Sequence, residues 1–292
     1  MNAARFDRQI ELFGAEGQRR LRSAKVAVVG AGGTGSVVVP QLALLGVGKI
    51  SVIDHDEIEE SNRNRLFCAR HHDPIPGTKK VYAATRMTHE FDPSIMVDAI
   101  PTNLLSASGF EAVRSADYVF GCVDLEGIRL VLLELCMAFD KPYIDIATGI
   151  EAGPPAFFGG RVCCSLPGAG CLACMGELDA MEAARDLESP VQRRDREAIY
   201  GVEKDALSAS GPSVVSINAV VASLAVTEFV KLCTGLASPT RLVKYDGGTT
   251  RVSPSRDAPV PNCYFCKGLI GSGVHADTER FIHTEYLTST AL

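Results

Sequence analysis

Gly30-x-Gly32-x-x-Gly35, inside the stretch "VVGAGGTGS", follows a run of strand formers and opens an apolar helical pattern. At this spacing the first glycine permits a tight turn, the second lets bare backbone approach a phosphate, and the third lets the helix pack on the strand. The helix N-terminus then offers unpaired N–H groups and a positive dipole to an anion. Asp54 ends the next apolar run, where a carboxylate can hold a ribose hydroxyl. This set points to an adenine nucleotide and leaves NAD and ATP both open. Beyond it, "HDEIEESNRNRLF" and "PGTKKV" supply Arg65 and Lys80. An NAD enzyme has no need of cations there, whereas cleavage between the α- and β-phosphates needs them for the triphosphate and the departing pyrophosphate. Asp124 ends a later strand pattern, at the edge where ligands of such sheets bind, and magnesium takes one or two carboxylates beside phosphate oxygens. Each of these residues also has an ordinary reading, since Arg and Lys sit in water and a strand-end Asp caps the next helix.

A second chemistry lies in "CLAC" (Cys171, Cys174) and "CYFC" (Cys263, Cys266). Two thiolates two residues apart clamp a metal from a tight turn, and two such pairs complete a closed tetrahedral Zn²⁺ site, which is structural. A redox pair or four unrelated cysteines are the alternatives, but the helix start that a redox Cys-x-x-Cys opens is missing. The other cysteines (Cys68, Cys122, Cys136, Cys163, Cys164, Cys233) read as small core hydrophobes.

The elements that must position these groups follow from the patterning. "KVAVVG" (25–30), "KISVID" (49–54), "IMVDAIP" (95–101), "ADYVFGCVD" (116–124) and "KPYIDIATGI" (141–150) read as strands. Helical patterns at 34–46, 77–91 and "GIRLVLLELCMAF" alternate with them, which predicts a parallel sheet covered on both faces. Pro40 is expected near the first turns of its helix, where it costs least. "PAFFGGRVCCSLPG" reads as an antiparallel excursion and 177–210 as a polar crossover. A strong helix is expected over 213–234, then a hairpin around Gly247–Gly248 and a polar tail after Cys266. The fold class is α/β, a Rossmann-like doubly wound sheet with a C-terminal antiparallel extension and a structural zinc site.

The chain has 292 residues, 46% hydrophobic and 22% charged, with a net charge of −6. That balance suits an enzyme and gives no sign of a nucleic-acid or membrane partner. "MNAARFDRQIELFG" lacks the apolar core of a signal peptide. "VVSINAVVASLAVTEFV" reads as a core helix, too short and too polar to span a bilayer. A cytoplasmic location is the expectation. His71–His72 and "RRDRE" at 193–197 read as solvated.

The stretches "RFDRQI", "VVGAGGTGS", "VIDHDEIEESNRNR", "GTKKV", "GCVDLEGIR", "CLAC", "PSVVSINAVVASLAVTEF" and "CYFC" together resemble the ThiF/MoeB/HesA family, bacterial relatives of ubiquitin-activating enzymes. The resemblance implies a single adenylation domain over 1–266, made of N-terminal helices (1–23), a nucleotide-binding half (24–150) and a carrier-binding half (151–266), with a tail at 267–292. It implies ATP-dependent adenylation of the C-terminal carboxylate of a ubiquitin-like or sulfur-carrier protein, or in some members a peptide. Gly30, Gly32, Gly33, Gly35, Asp54 and Asn62 would then bind nucleotide. Arg65 and Lys80 would grip phosphates, with Lys79 the weaker lysine candidate, and Asp124 would hold Mg²⁺. Arg8 would reach across a homodimer into the partner's site, and Zn²⁺ would sit on the four cysteines. Many relatives pass the acyl group to a crossover cysteine, but "YGVEKDALSASGPSVV" has none. The reaction then stops at the adenylate, or Cys163 or Cys164 serves, or the thiol has been replaced at Ala206, Ser208, Ala209 or Ser210. A conjugating enzyme is a possible further partner. Adenylation of a peptide or small carboxylic acid, an NAD-dependent oxidoreductase and a nucleotide-binding scaffold remain the alternatives.

Overall fold

The computed structural model describes residues 3–189, 191–192, 211–255 and 259–282. From the N-terminus, α1 (Asp7–Ser23) is followed by β1 (Lys25–Val29), α2 (Gly35–Leu45), β2 (Lys49–Ile53), α3 (Lys80–Phe91), β3 (Met96–Ile100), α4 (Ala107–Ser115), β4 (Tyr118–Gly121), α5 (Glu126–Ala138) and β5 (Tyr143–Glu151). Then come β6 (Phe157–Ser165), α6 (Ala180–Asp186), α7 (Val215–Thr234), β7 (Leu242–Asp246) and β8 (Arg251–Pro254). The strands form one sheet in the order β3-β2-β1-β4-β5-β6-β7-β8. The first five are parallel, and β6, β7 and β8 add on antiparallel.

The continuous apolar runs of the parallel strands have a direct cause. Val26 and Val28 face one core while Ala27 and Val29 face the other, so no position on β1 beyond Lys25 can be polar. The first core receives α2, α3 and α7, and the second receives α4, α5, the paired cysteines and the C-terminal segment. This is the doubly wound arrangement expected from the sequence.

Three local features depart from that expectation. α4 has no counterpart in the sequence reading. It is a nine-residue helix whose buried face is too short to show a period, and Ser106 starts it by accepting from Gly109 N at 3.1 Å. Pro40 falls in the interior of α2, past the first turn. The polar segment after Cys266 is packed as far as it is described. Ala276, Thr278 and Phe281 are buried, and Arg280 and Glu279 pair with Glu134 of α5 and Arg114 of α4. α7 is long and apolar enough to cross a membrane by length and composition. Here Val221, Ala222, Ala225 and Phe229 are instead fully buried in the first core.

Candidate active site and a four-cysteine cluster

The sheet order reverses between β1 and β4, and a cleft of about 520 Å³ opens at the carboxyl ends of the strands there. The glycine loop forms its floor. Gly30 has φ +92°, and a Cβ on it would stand 2.3 Å from the Cys122 carbonyl oxygen. A Cβ on Gly35 would meet the Gly30 oxygen at 1.9 Å, so Gly35 serves the close approach of α2 and does not itself line the cleft. A Cβ on Gly32 would project into open space. The N–H groups of Gly32, Gly33 and Thr34 have no acceptor among the described residues, which suits an anion at the start of α2.

Asp54, at the end of β2, is fixed from both sides: Oδ2 accepts from Ala31 N at 2.6 Å and Oδ1 from Asp56 N at 2.8 Å. Its second lone pairs stay available to a ribose. Asn62 and Arg65 come from a 3-10 turn, Glu60–Arg65. Asn62 is buried and closes a reciprocal cap with Glu59, accepting from Glu59 N at 3.0 Å. The Arg65 guanidinium is steadied by the Ser61 carbonyl at 2.7 Å.

Lys80 is the first residue of α3, and its ammonium pairs with Asp56 Oδ2 at 2.6 Å within the cleft wall. Burial pushes the Asp56 carboxyl up, but the hydrogen bond and charge of Lys80 outweigh it and hold the group below its ordinary range. Lys79 instead binds the His55 carbonyl at 2.9 Å and Glu57 at 3.3 Å. The cleft thus takes Lys80 and not Lys79.

Asp124 lines the opposite wall and is exposed. It does not cap α5, because Leu125 holds the cap position without a side-chain bond and Asp186 accepts from Gly127 N at 2.9 Å. The Asp124 carboxylate has no hydrogen-bond or ion-pair partner among the described residues. Hard, unpaired oxygen opposite the cations fits the donor set magnesium takes. Arg8, on α1, is exposed and lies outside the cleft of its own chain.

The cleft also holds residues that sequence reading passed over: Asp56, Thr148, Ser213, Asn218 and Arg129. Asn218 is 2% exposed. It donates to Ser213 Oγ at 3.0 Å and accepts from Thr148 Oγ1 at 3.2 Å. A polar residue inside the apolar run "VVSINAVVASLAV" was the available signal.

The two Cys-x-x-Cys pairs meet in the second core, with all four sulfurs within 4.8 Å of one another. Cys171 Sγ lies 3.6 Å from Cys263 Sγ, and Cys174 Sγ lies 4.0 Å from Cys266 Sγ. A tetrahedral zinc with Zn–S near 2.3 Å sets its sulfurs about 3.8 Å apart, so the donor set fits the ion. Both knuckles continue as Cys-x-Gly, and Gly176 and Gly268 take left-handed φ values of +73° and +79°. The repeat is therefore Cys-x-x-Cys-x-Gly, a longer signal than the paired cysteines alone. Gly168 N donates to the Cys266 carbonyl at 2.8 Å, tying the two knuckles together.

All ten cysteines are buried. Cys163 and Cys164 face opposite cores from β6, and burial pushes the Cys163 thiol up to about 12 and Cys164 further. Neither is an accessible nucleophile, which removes them as thioester candidates. Residues 206–210 lie outside the described residues.

A model of the ThiF family matches residues 6–265. The chain belongs to the ThiF family. This ThiF chain is 27% identical over 268 residues to adenylyltransferase and sulfurtransferase MOCS3-1 of Zea mays, covering 90% of itself and 51% of that protein. It is 33% identical over 144 residues to adenylyltransferase and sulfurtransferase UBA4 of Candida albicans, covering 48% of itself and 32% of that protein. A probable molybdopterin-synthase adenylyltransferase of Porphyra purpurea is 34% identical over 129 residues, 44% of this chain and 33% of that one. The chain spans about half, or less, of the length of the curated relatives it matches. Among solved structures, E. coli MccB with MccA-N7isoASN superposes with a TM-score of 0.70 at 22% identity, covering 91% of this chain and 75% of that one. PaaA superposes with a TM-score of 0.64 at 19% identity, covering 88% and 74%. At these identities the likeness is one of fold.

Proposed function

We propose that this ThiF-family chain adenylates the C-terminal carboxylate of a ubiquitin-like or sulfur-carrier protein, using ATP and Mg²⁺. The observation that supports it best is the single cleft that gathers the glycine loop, Asp54, Arg65, Lys80 and Asp124 at the switch point of the sheet. The named activity of the MOCS3 and UBA4 relatives points the same way.

A carboxylate oxygen of the carrier attacks the α-phosphorus, the bond from that phosphorus to the bridging oxygen breaks, and pyrophosphate leaves with the electron pair. The attacking group is already anionic at neutral pH, so no general base is required. Positioning and charge neutralisation supply the rate. Asp54 and the glycine loop hold ribose and phosphates, with Asn62 beside them. Arg65 and Lys80 offset the charge that builds on the leaving pyrophosphate. Asp124 would hold Mg²⁺, which when bound supplies further charge neutralisation at the phosphates.

The residues 24–150 form the nucleotide half in this reading, and 151–266 receives the carrier. Arg8 acts in the site of a second copy, making the working unit a homodimer. Zn²⁺ sits on Cys171, Cys174, Cys263 and Cys266. With every thiol of the chain buried, the acyl-adenylate passes directly to an outside acceptor.

Carrier-dependent exchange of labelled pyrophosphate into ATP is the test. Exchange driven by a small acid or short peptide alone would move the substrate to that class. ATP binding without any exchange would leave a nucleotide-binding scaffold, and hydride transfer from NADH would overturn the reading altogether.

A further inference from the structure

Nothing among the described residues bonds the Asp124 carboxylate, and the strand that delivers it ends at Gly121. The turn between them is held by Arg129, in the first turns of α5. Arg129 lines the cleft and is 8% exposed. Its Nη2 donates to the carbonyl of Val123, the residue before Asp124, at 2.8 Å. Its Nη1 binds Glu126, and its Nε lies 3.5 Å from Asp145 Oδ1, an ion pair without a hydrogen bond.

Asp145 is fully buried on β5 and takes the Tyr143 hydroxyl at 2.6 Å on one oxygen and Arg161 of β6 on the other. Arg161 holds Glu177 twice, through the main-chain carbonyl and the carboxylate, each at 2.9 Å. Lys244 of β7 takes the second Glu177 oxygen at 2.9 Å. Glu126 closes the ladder by accepting from Asp179 N at 3.1 Å. Alternating charges thus run from the cleft wall to the loop that leaves Cys174. Apolar residues of similar volume would hold the sheet together at less desolvation cost. What the charges add is direction, since a guanidinium fork fixes the carbonyl and carboxylates it binds in a plane.

We infer that Arg129, held by Asp145, is a positioning residue: by tying down the Val123 carbonyl it sets where the Asp124 carboxylate stands, and the ladder beyond it registers the first turn of α5 against the knuckle loop. The inference rests on the adenylation reading only for what Asp124 binds.

The test uses the whole chain with Arg129→Lys, Arg129→Met and Asp145→Asn. ATP binding is measured by calorimetry in EDTA and at stepped Mg²⁺, beside the melting temperature. Arg129→Lys can keep the charge opposite Asp145 but lacks the fork. It should melt near the wild type and bind metal-free ATP equally well. Its Mg²⁺ requirement should rise about 10- to 100-fold, as when a partner that orients a metal ligand is lost. Asp145→Asn should move the same way. Should Arg129→Met not fold, the lysine variant carries the test. Wild-type Mg²⁺ dependence in Arg129→Lys overturns the inference. So does a loss of metal-free and metal-bound affinity in parallel with a falling melting temperature. A wild type that binds ATP with Mg²⁺ but exchanges with no carrier overturns the proposed reaction alone, and the binding comparison still decides the role of Arg129. A wild type whose ATP binding ignores Mg²⁺ overturns both.

Discussion

Lys80 opens α3 with its ammonium in the cleft, 2.6 Å from Asp56, while Lys79 turns outward to Glu57. A phosphate entering the cleft meets the first and not the second, and it can take over the charge that Asp56 now balances. Lys80→Ala should therefore lower pyrophosphate exchange about a hundredfold, the scale set by removing one preorganised donor to developing charge. Lys79→Ala should leave exchange close to the wild-type rate. Equal losses in the two variants would unseat Lys80. The sequence ranks Lys80 above Lys79 only through the family resemblance, and what separates them physically is the direction each side chain takes where α3 begins, at Lys80. The two walls also differ in kind: among the described residues Asp54 is bonded on both oxygens, whereas Asp124 is bonded on neither. The first therefore suits a fixed contact to ligand, and the second suits a ligand that brings its own charge.

At the scale of elements, the loop between Arg65 and Lys80 is pinned by a bidentate clamp. Arg86 of α3 binds both Asp73 oxygens, at 2.5 and 3.0 Å, and the same carboxylate accepts from Arg70 N at 2.7 Å. The Arg86 guanidinium holds the Asp73 carboxyl below its ordinary range. The stabilisation is complete above the unfolded carboxylate pKa of about 4 and is lost as pH falls toward the lowered folded value. The gap in melting temperature between wild type and Asp73→Asn should be wide at neutral pH and narrow below about pH 4. A gap indifferent to pH would show that the clamp does not stabilise through its charge. The knuckles make a second element-scale clamp, joining the β6–α6 loop to the segment that packs on α4 and α5. Cys171→Ser should lower zinc content and melting temperature by several degrees while nucleotide affinity persists at temperatures where the chain stays folded, because four thiolates make a closed site and none of the four cysteines lines the cleft. A variant with wild-type zinc and melting temperature would break that assignment.

At the scale of the molecule, the cleft of one chain leaves Arg8 outside it. If the reaction needs Arg8, a second copy supplies it. Arg8→Ala and Asp124→Ala should each abolish exchange. Equal mixing should restore about one quarter of wild-type sites, since half the dimers are mixed and each mixed dimer has one intact site. No recovery under conditions where subunits exchange would argue for a site complete in one chain. Residue spacing along the chain was enough to read the layered α/β plan, the glycine loop with its acid and the pairing of the two knuckles. These are signals of local spacing, and they survive because turns, helix starts and two-residue chelates are built from neighbours in the chain. It took the assembled fold to show that α4 exists, that residues 267–282 pack against α4 and α5, that Cys163 and Cys164 are sealed, and that Arg129, Asp145, Arg161 and Glu177 form one ladder. Those facts depend on which distant strands become neighbours and which face each side chain takes, and a buried ion pair leaves no periodic mark in the chain that forms it.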